Sequence, residues 1–256
     1  MISSTQELDH AKSIALEAGI LLRRYFHQSL THQYKSDLSF VSEADLSSNE
    51  LIVSYLRQHY PHYAIYSEES NYEYQSNTKG TWIIDPLDGT HNFLRQIPLY
   101  GISLALEKNN QLNCGVIYLP EQDKLFYASI GLGAFCNNDN IKVSVRDKAH
   151  ALIHYEGLAK TENKWSTFKK LYNDFELRIL YSTAYSLALL SSGQIEACYS
   201  EADHYYDFAA GAVILKEAGG CISNLDGSSI DSSRGFIASN GLIHHSLLSY
   251  FKKDTI

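Results

Sequence analysis

Residues 82–93, which read WIIDPLDGTHNF, decide how the rest of the chain is interpreted. The stretch opens with three apolar residues, a pattern that indicates a short buried strand meeting a loop. Two aspartates, Asp85 and Asp88, follow at the end of this strand. Mg²⁺ prefers oxygen ligands, often a few carboxylates completed by water and phosphate, and a strand end holds such ligands rigidly. The pair therefore predicts a site for a hard divalent cation.

The residues after the second aspartate predict a place for phosphate beside that site. The free N–H groups of Gly89, Thr90 and His91 would lie at the N-terminus of a predicted helix, where anions bind. The bare pattern has a second interpretation, a strand-to-helix turn in which aspartate caps the helix and glycine relieves the backbone. The motif alone does not decide between the two.

Further acidic positions favour the metal site. Glu68 and Glu69 follow a short apolar segment at residues 63–66, and Asp207 opens a predicted helix. Each of these acids, taken singly, is more often a solvated side chain or a helix cap. Together with the aspartate pair they indicate a cluster of carboxylates drawn from distant parts of the chain.

Hydrophobic periodicity divides the chain into two layered halves. Residues 1–145 contain two predicted helices, near 5–28 and 42–60, with capping boxes at Ser4-x-x-Glu7 and Ser42-x-x-Asp45, and then a run of antiparallel strands. In residues 146–256, predicted strands alternate with predicted helices; the strands lie near 151–155, 177–181, 196–199 and 235–239, and the helices near 162–174, 183–192 and 207–218. The first half would carry most of the acidic cluster, and the second would supply Asp207.

Composition limits the classes of function. The 256 residues carry a formal net charge of -8, which argues against electrostatic binding of nucleic acid or of an anionic membrane. Without a visible signal peptide or a run of about 18 apolar residues, we expect no membrane span and a cytoplasmic location. The four scattered cysteines lack the close spacing of a zinc site.

These motifs resemble those of the inositol monophosphatase family, which are Mg²⁺-dependent, lithium-sensitive phosphatases. Residues 82–93 are similar to the family's first signature, and residues 206–211 with 217–220 are similar to its second. Residues 67–70 resemble its glutamate pair, and the order of the motifs is kept from about residue 8 to 250. The resemblance implies an α+β fold, specifically a layered αβαβα sandwich of the inositol monophosphatase and fructose-1,6-bisphosphatase type. It also implies a homodimer.

The resemblance assigns two or three Mg²⁺ ions to this chain. Glu68, Asp85 and the backbone carbonyl of Leu87 would hold the first ion. Asp85, Asp88 and Asp207 would hold the second ion, and Glu68 and water would coordinate a third, more weakly bound ion. Because Asp85 bridges, the first two ions would lie close enough to share one phosphate.

The resemblance also assigns catalytic and binding roles. Thr90 and Asp45 match the pair that orients and deprotonates the nucleophilic water, with Glu68 as a further catalytic acid. Glu69 would support the metal site, and Lys35 matches a lysine near the active site, although a surface lysine fits that position equally well. The residues that match substrate-binding positions are Asp88, Gly89, Thr90, Thr183, Glu201 and Asp207.

The chain departs from the family pattern around the substrate pocket. Tyr206 replaces the signature tryptophan, and His91 replaces a threonine. Tyr181 stands where the family has glycine, and could narrow the pocket. Ser200 stands where the family has a glutamate that touches inositol hydroxyls, with Glu201 one residue later. These differences concern specificity, because every implied carboxylate ligand is present.

The sequence therefore favours Mg²⁺-dependent hydrolysis of a small phosphate monoester, with inositol monophosphate first. The same fold would also suit 3′(2′),5′-bisphosphate nucleotidase, histidinol-phosphatase or fructose-1,6-bisphosphatase activity. The ending Asn92-Phe93 favours the inositol type. Outside the enzymes, the sequence would fit a metal-binding interaction protein with incidental phosphatase activity.

Overall fold

The helices and strands of the chain form two sheets and three helical layers. The structure is a computed structural model that describes residues 5–28, 32–34, 40–70, 79–156, 162–233 and 235–251. The helices are α1 (Gln6–Phe26), α2 (Glu43–His59), α3 (Thr90–Phe93), α4 (Glu162–Asp174), α5 (Thr183–Ser191), α6 (Tyr205–Glu217) and α7 (His244–Leu248), with 3₁₀ turns at Pro120–Gln122 and Lys148–His150. The strands are β1 (His32–Tyr34), β2 (Phe40–Ser42), β3 (Ala64–Ser67), β4 (Thr81–Asp88), β5 (Gly101–Lys108), β6 (Gln111–Leu119), β7 (Lys124–Ser129), β8 (Gly133–Cys136), β9 (Asp139–Ile141), β10 (Leu152–Glu156), β11 (Glu176–Arg178), β12 (Ala197–Ser200), β13 (Cys221–Ser223) and β14 (Phe236–Ser239).

The larger sheet has seven strands in the order β3-β4-β5-β6-β7-β8-β9. Strands β3 and β4 are parallel, and every later pair is antiparallel, as expected for strands joined by tight turns. The smaller sheet has the order β11-β10-β12-β14-β13, and its first three strands are parallel. Strand β14 runs antiparallel to both of its neighbours. A hairpin of β1 and β2 stands apart from both sheets.

Three hydrophobic clusters show how the layers stack. Helices α1 and α2 pack on one face of the seven-stranded sheet, and α5 and α6 pack on its other face. The five-stranded sheet covers α5 and α6 from the far side, and α4 and α7 cover the outer face of that sheet. This sequence of layers confirms the predicted α+β, αβαβα architecture. Within the described ranges, every helix falls short of the length or apolar character that a membrane span requires.

The two N-terminal helices form because each has a cap and a continuous apolar stripe. Helix α2 begins with the predicted capping box: Ser42 Oγ accepts from Ala44 N (3.2 Å), and Asp45 Oδ2 accepts from Ser42 N (2.8 Å). Helix α1 differs from its prediction, since Thr5 is its cap and accepts a hydrogen bond from Leu8 N at 3.3 Å. The predicted cap, Ser4, lies outside the described residues.

Three predicted boundaries near the acidic residues were wrong by a few residues. Strand β4 continues past Asp85 to Asp88 instead of ending there, because a bulge absorbs Pro86. Strand β11 ends at Arg178 and leaves Tyr181 in a left-handed conformation with φ 54°. Helix α6 begins at Tyr205, so Asp207 lies in its first turn and does not open it.

The crossing of β6 and α6 depends on a glycine. A Cβ atom at Gly115 would lie 2.4 Å from the carbonyl oxygen of Ala210 and 2.9 Å from its Cα. Only a residue without a side chain therefore lets the helix approach the strand this closely, and α6 is the helix that carries Asp207.

We expect Gly115→Ala to lower the free energy of unfolding by about 2–3 kcal/mol, because the added methyl group overpacks a rigid backbone contact. Equilibrium urea unfolding measures the change. Gly131→Ala is the matched control: its Cβ would meet nothing within 4 Å, although its φ of 76° is unfavourable for alanine. Gly131→Ala should lower the free energy of unfolding by only about 1 kcal/mol. Equal losses in the two variants would contradict the close-approach explanation.

Candidate metal centre

Three aspartates converge between the large sheet and α6. Asp85, Asp88 and Asp207 each place a carboxylate oxygen within 4.8 Å of the others' oxygens. Asp85 and Asp88 are 2% and 6% exposed. Sequence positions more than a hundred residues apart thus form one cluster, as the two signature-like motifs predicted.

A β-bulge explains why Asp85 and Asp88 face the same way. In a regular strand, residues three apart point to opposite faces of the sheet. Here Asp85 pairs with Ser103 and Asp88 pairs with Gly101, so β4 contains one extra residue over this interval. The extra residue reverses the alternation and turns both carboxylates to one side. Leu87 N donates to Asp85 Oδ1 at 3.0 Å and fixes the side chain within the bulge.

The third aspartate is held by the start of α6. Asp207 lies in the first turn of the helix, and its Oδ2 accepts a hydrogen bond from His204 N at 2.6 Å. A carboxylate in this position satisfies a free backbone N–H and is favoured by the helix dipole. The structural and metal-binding interpretations of Asp207 are therefore compatible, because a carboxylate can cap the helix and still offer lone pairs to a cation.

The N-terminus of α5 holds Asp88. Its carboxylate accepts hydrogen bonds from Thr183 N and Ala184 N, both at 3.1 Å, and from the hydroxyl of Ser182. These donors lower the pKa of Asp88, but burial outweighs them and raises it to about 7. Part of the rise comes from the charge of nearby Asp203.

The other two aspartates also resist ionisation. Burial is the largest cause that raises the pKa of Asp85, and the charges of its acidic neighbours, Glu68 foremost, add to it. Burial likewise raises the pKa of Asp207, followed by the charges of Asp203 and Glu68. Several carboxylates that repel one another in a buried space are stabilised by a divalent cation.

Glu68 and Leu87 border the cluster without belonging to the group of three. Glu68 follows β3, where its backbone N–H donates to the carbonyl of Ile84 (3.1 Å), and it lines the same cavity. The carbonyl oxygen of Leu87 lies 3.1 Å from the hydroxyl of Thr90. Both residues are thus near the positions that the predicted first ion requires.

A threonine–aspartate pair lies beside the carboxylates. Thr90 Oγ1 donates to Asp45 Oδ1 at 2.9 Å, and Asp45 Oδ2 accepts from both the backbone N–H and the hydroxyl of Ser42. Burial raises the pKa of Asp45, and the hydrogen bonds from Ser42 and Thr90 oppose that rise. The structure therefore brings together the two residues that were predicted to handle the water proton.

The turn between Asp88 and α3 requires glycine. Gly89 has φ 87°, and a Cβ there would lie 2.8 Å from the carbonyl oxygen of Leu99. Helix α3 has a single turn, and Asn92 ties it down by donating side-chain hydrogen bonds to the carbonyls of Leu99 and Leu180, both at 2.7 Å. Gly89 and Thr90 consequently keep fixed positions on the cavity wall.

One cavity of about 250 Å³ is lined by Asp88 and Asp207 of the cluster and by the predicted phosphate-binding turn at residues 89–91. Its described lining residues are Glu68, Asp88, Gly89, Thr90, His91, Glu156, Tyr181, Ser182, Thr183, Asp203 and Asp207. Six of the twelve predicted site residues are in this set, and the buried Asp45, Asp85 and Leu87 are not among the described lining residues. Glu156 and Asp203 are also in it, and the sequence interpretation missed both, since neither belongs to a motif.

Some predicted residues lie elsewhere. Glu201 accepts a hydrogen bond from the hydroxyl of Tyr199 and is not among the described residues that line the cavity. Glu69 is half-buried next to Glu68 and is likewise not among them. Lys35 falls outside the described residues. The predicted roles of these three side chains stay predictions.

The residues that depart from the family pattern form aromatic contacts at the rim. Tyr181 is 48% exposed and stacks against His91, with ring centroids 6.2 Å apart. It lines the cavity mouth and does not fill the interior. Its positive φ is the conformation that glycine adopts most easily, which gives a physical reason for glycine at this position in the family pattern. Tyr206 stacks on His204 at 5.0 Å and packs against Tyr66 at 5.6 Å.

The carboxylates suit Mg²⁺ better than a softer metal. The cluster offers oxygen ligands, with a backbone carbonyl and an open cavity beside it for water or phosphate. A five-layer αβαβα fold with this cluster next to a threonine–aspartate pair is the architecture of a phosphatase.

Comparison with known proteins identifies the family. The profile of the inositol monophosphatase family matches residues 4–255. An inositol monophosphatase of Dictyostelium discoideum is 33% identical over 251 residues, which cover 93% of this chain and 92% of the relative. A fructose-1,6-bisphosphatase/inositol-1-monophosphatase of Thermotoga maritima is 32% identical over 235 residues, 88% of this chain and 90% of the relative. The crystal structure of extragenic suppressor protein SuhB from Bartonella henselae superposes with a TM-score of 0.92 at 28% identity, covering 98% of this chain and all of that one. The chain belongs to the inositol monophosphatase family.

The raised pKa values predict an unusual pH dependence of stability. Asp85, Asp88 and Asp207 bind protons more tightly in the folded, metal-free protein than in the unfolded chain, so the stability that these three groups contribute is fully present below their unfolded pKa values and is lost as pH rises through their folded pKa values, about 7 for Asp88. We expect a lower Tm in EDTA at pH 8 than at pH 5.5, and a rise in Tm on adding Mg²⁺ that is larger at pH 8. Differential scanning fluorimetry measures both.

The matched variant for this prediction is Asp207→Asn. It removes one of the repelling charges, so its stability in EDTA should depend less on pH and its response to Mg²⁺ should shrink. Asp147→Asn, at a side chain that is 72% exposed and remote from the cluster, should behave like the parent protein. Identical pH and Mg²⁺ responses in the parent and in Asp207→Asn would show that the cluster does not bind the cation.

Proposed function

We propose that this protein hydrolyses a small phosphate monoester with Mg²⁺ and water, and that inositol monophosphate is its leading substrate. One observation carries the proposal: Asp88 and Asp207 of the three-aspartate cluster line the same cavity as Thr90, whose hydroxyl donates to the buried Asp45. Such a cavity provides for the phosphate, for a cation that neutralises it and for a base next to the attacking water.

Asp85, Asp88 and Asp207, with Glu68 and the carbonyl of Leu87, would hold two or three Mg²⁺ ions. Bound Mg²⁺ supplies neutralisation of the phosphate oxygens, a lowered pKa of coordinated water and stabilisation of the leaving alkoxide. The protein contributes the rigid arrangement, since β4 is buried along its whole length and α6 lies between the two sheets.

The Thr90–Asp45 pair can orient the water and accept its proton. Because the hydroxyl proton of Thr90 is donated to Asp45, the lone pairs of Thr90 Oγ1 are available to accept a hydrogen bond from water. As the water attacks phosphorus, its proton passes to Thr90 and the threonine proton passes to Asp45. Burial raises the pKa of Asp45, which makes this carboxylate a better proton acceptor than an exposed aspartate.

The relatives support inositol monophosphate and name a second candidate. The Dictyostelium protein is called an inositol monophosphatase, whereas the Thermotoga protein carries both a fructose-1,6-bisphosphatase and an inositol-1-monophosphatase name. The described cavity lining contains no lysine or arginine that would bind the second phosphate of a nucleotide bisphosphate. Family membership favours an enzyme over the other expectation, a metal-binding interaction protein with incidental phosphatase activity. Homodimer formation, cytoplasmic location and inhibition by Li⁺ stay predictions of the family resemblance.

A panel of phosphate esters tests the proposed function. We expect phosphate release that requires Mg²⁺, with inositol 1-phosphate giving a higher kcat/KM than fructose 1,6-bisphosphate, 3′-phosphoadenosine 5′-phosphate or histidinol phosphate. Colorimetric detection of inorganic phosphate provides the measurement, with EDTA as the control. A higher kcat/KM for any other ester would contradict the choice of inositol monophosphate as substrate. If no ester released phosphate, the phosphatase proposal would be wrong.

Asp88→Asn tests the assignment of metal ligands. We expect kcat to fall at least about 100-fold, because loss of a direct ligand should match or exceed the effect of losing a residue that supports one. Circular dichroism and Tm establish that the variant is folded, which is needed because Asp88 also accepts hydrogen bonds from α5. Asp147→Asn is the control. Activity within a few fold of the parent would mean that Asp88 does not hold the ion.

A further inference from the structure

We propose that Asp203 and Glu156 bind the alcohol part of the substrate by accepting hydrogen bonds from its hydroxyl or ammonium groups. The proposal rests on the proposed function, because it concerns the same cavity. It replaces the sequence expectation that Glu201, next to Ser200, performs this recognition.

The residues at positions 200 and 201 do not face the cavity as a recognition pair. Ser200 is completely buried, and its hydroxyl oxygen accepts from Asp203 N at 3.2 Å. The carboxylate of Glu201 accepts a hydrogen bond from the hydroxyl of Tyr199. The loop between β12 and α6 therefore turns its third residue, Asp203, into the cavity.

Asp203 is held in place from two sides. Its carboxylate accepts a hydrogen bond from the hydroxyl of Thr183, and its backbone carbonyl accepts from Gly235 N at 3.0 Å. Thr183 in turn donates its backbone N–H to Asp88 at 3.1 Å. Thr183 thus links Asp88, which would hold a cation, to Asp203, which would bind the alcohol. The alcohol carbons adjacent to the ester are therefore the part of the substrate within reach of Asp203.

Glu156 brings a carboxylate oxygen that lacks a hydrogen bond. His154 is 1% exposed, and its Nδ1 accepts a hydrogen bond from Leu180 N at 3.4 Å. Nε2 lies 3.0 Å from Glu156 Oε2, yet the two atoms are not aligned for a hydrogen bond, and both remain buried without a partner. The Glu156 side chain is nevertheless 22% exposed and lines the cavity, so its accessible part can accept a hydrogen bond from a donor group on the substrate.

The charge of the cavity wall, formed by its lining residues, determines which groups of the substrate can bind there. The described lining residues include five acids and no lysine or arginine. Bound cations would offset the charges of Glu68, Asp88 and Asp207, whereas Asp203 and Glu156 are not among the residues predicted to hold a cation. This wall favours hydrogen-bond donors on the alcohol and disfavours a second phosphate, which would be repelled.

Three esters with the same three-carbon chain test the proposal. Propyl phosphate has no donor on its chain, glycerol 1-phosphate has two hydroxyls, and serinol phosphate exchanges one hydroxyl for an ammonium group. We expect glycerol 1-phosphate to exceed propyl phosphate in kcat/KM by at least about 10-fold, since a site built for hydrogen bonds rejects an analogue that lacks them. In Asp203→Asn and Glu156→Gln this ratio should fall several-fold, mainly through KM.

Asp147→Asn is the control, because this carboxylate is 72% exposed and is not among the described residues that line the cavity, and its ratio should equal that of the parent. The comparison of serinol phosphate with glycerol 1-phosphate then tells whether ammonium or hydroxyl donors are preferred, and a preference for either over propyl phosphate supports the proposal. A parent ratio near one, or an unchanged ratio in Asp203→Asn, overturns it.

Failure of the proposed function would look different. In that case none of the three esters, nor p-nitrophenyl phosphate, would release phosphate in the presence of Mg²⁺. The Tm shift that each ester produces with Mg²⁺ then decides the proposal: a larger shift with glycerol 1-phosphate than with propyl phosphate supports alcohol recognition by this wall, and equal shifts refute it.

Discussion

The structure around Asp85, Asp88 and Asp207 must hold together three carboxylates that repel one another. Their oxygens lie within 4.8 Å of one another in a largely buried space, which an unsupported chain would avoid. A bulge in a fully buried strand holds two of them, and the first turn of a helix packed between two sheets holds the third. Every layer adjoining the cluster is therefore closely packed, and the contact between Gly115 and Ala210 is one example of that packing.

Much of this arrangement could be predicted from local patterns. The apolar run before Asp85, the capping box at Ser42 and the alternation of strands and helices after residue 150 are short-range signals, and the structure confirms the elements that they predicted. The bulge could not be predicted, because it depends on how β4 pairs with β5 and on the absence of a backbone N–H at Pro86. The early end of β11 depends in the same way on the conformation of Tyr181.

The substrate side of the cavity was the least accessible to prediction. Asp203 and Glu156 are single acids, one in a loop and one at the end of a strand, and nothing in their neighbouring residues marks them. They meet because β10 and β12 are adjacent parallel strands whose carboxyl ends reach the same edge of the sheet. Glu201 looked suitable by position in the sequence, but it accepts a hydrogen bond from the hydroxyl of Tyr199 in β12. Position in a motif therefore identified three aspartates that the structure brings together, whereas the alcohol contact of Glu201 stays a prediction.

The hydrogen bonds from α5 to Asp88 have a thermodynamic consequence. Two backbone N–H groups and a hydroxyl at the start of this helix satisfy Asp88, and the same turn presents Thr183 to Asp203. A change of charge at Asp88 is thus felt by the turn that holds Asp203, the residue that we propose binds the alcohol. Coupling of this kind is reciprocal, so an alcohol that tightens cation binding by some factor must itself be bound tighter by that factor when the cation is present. Under this assignment, the affinity for the alcohol and the affinity for the cation are thermodynamically coupled.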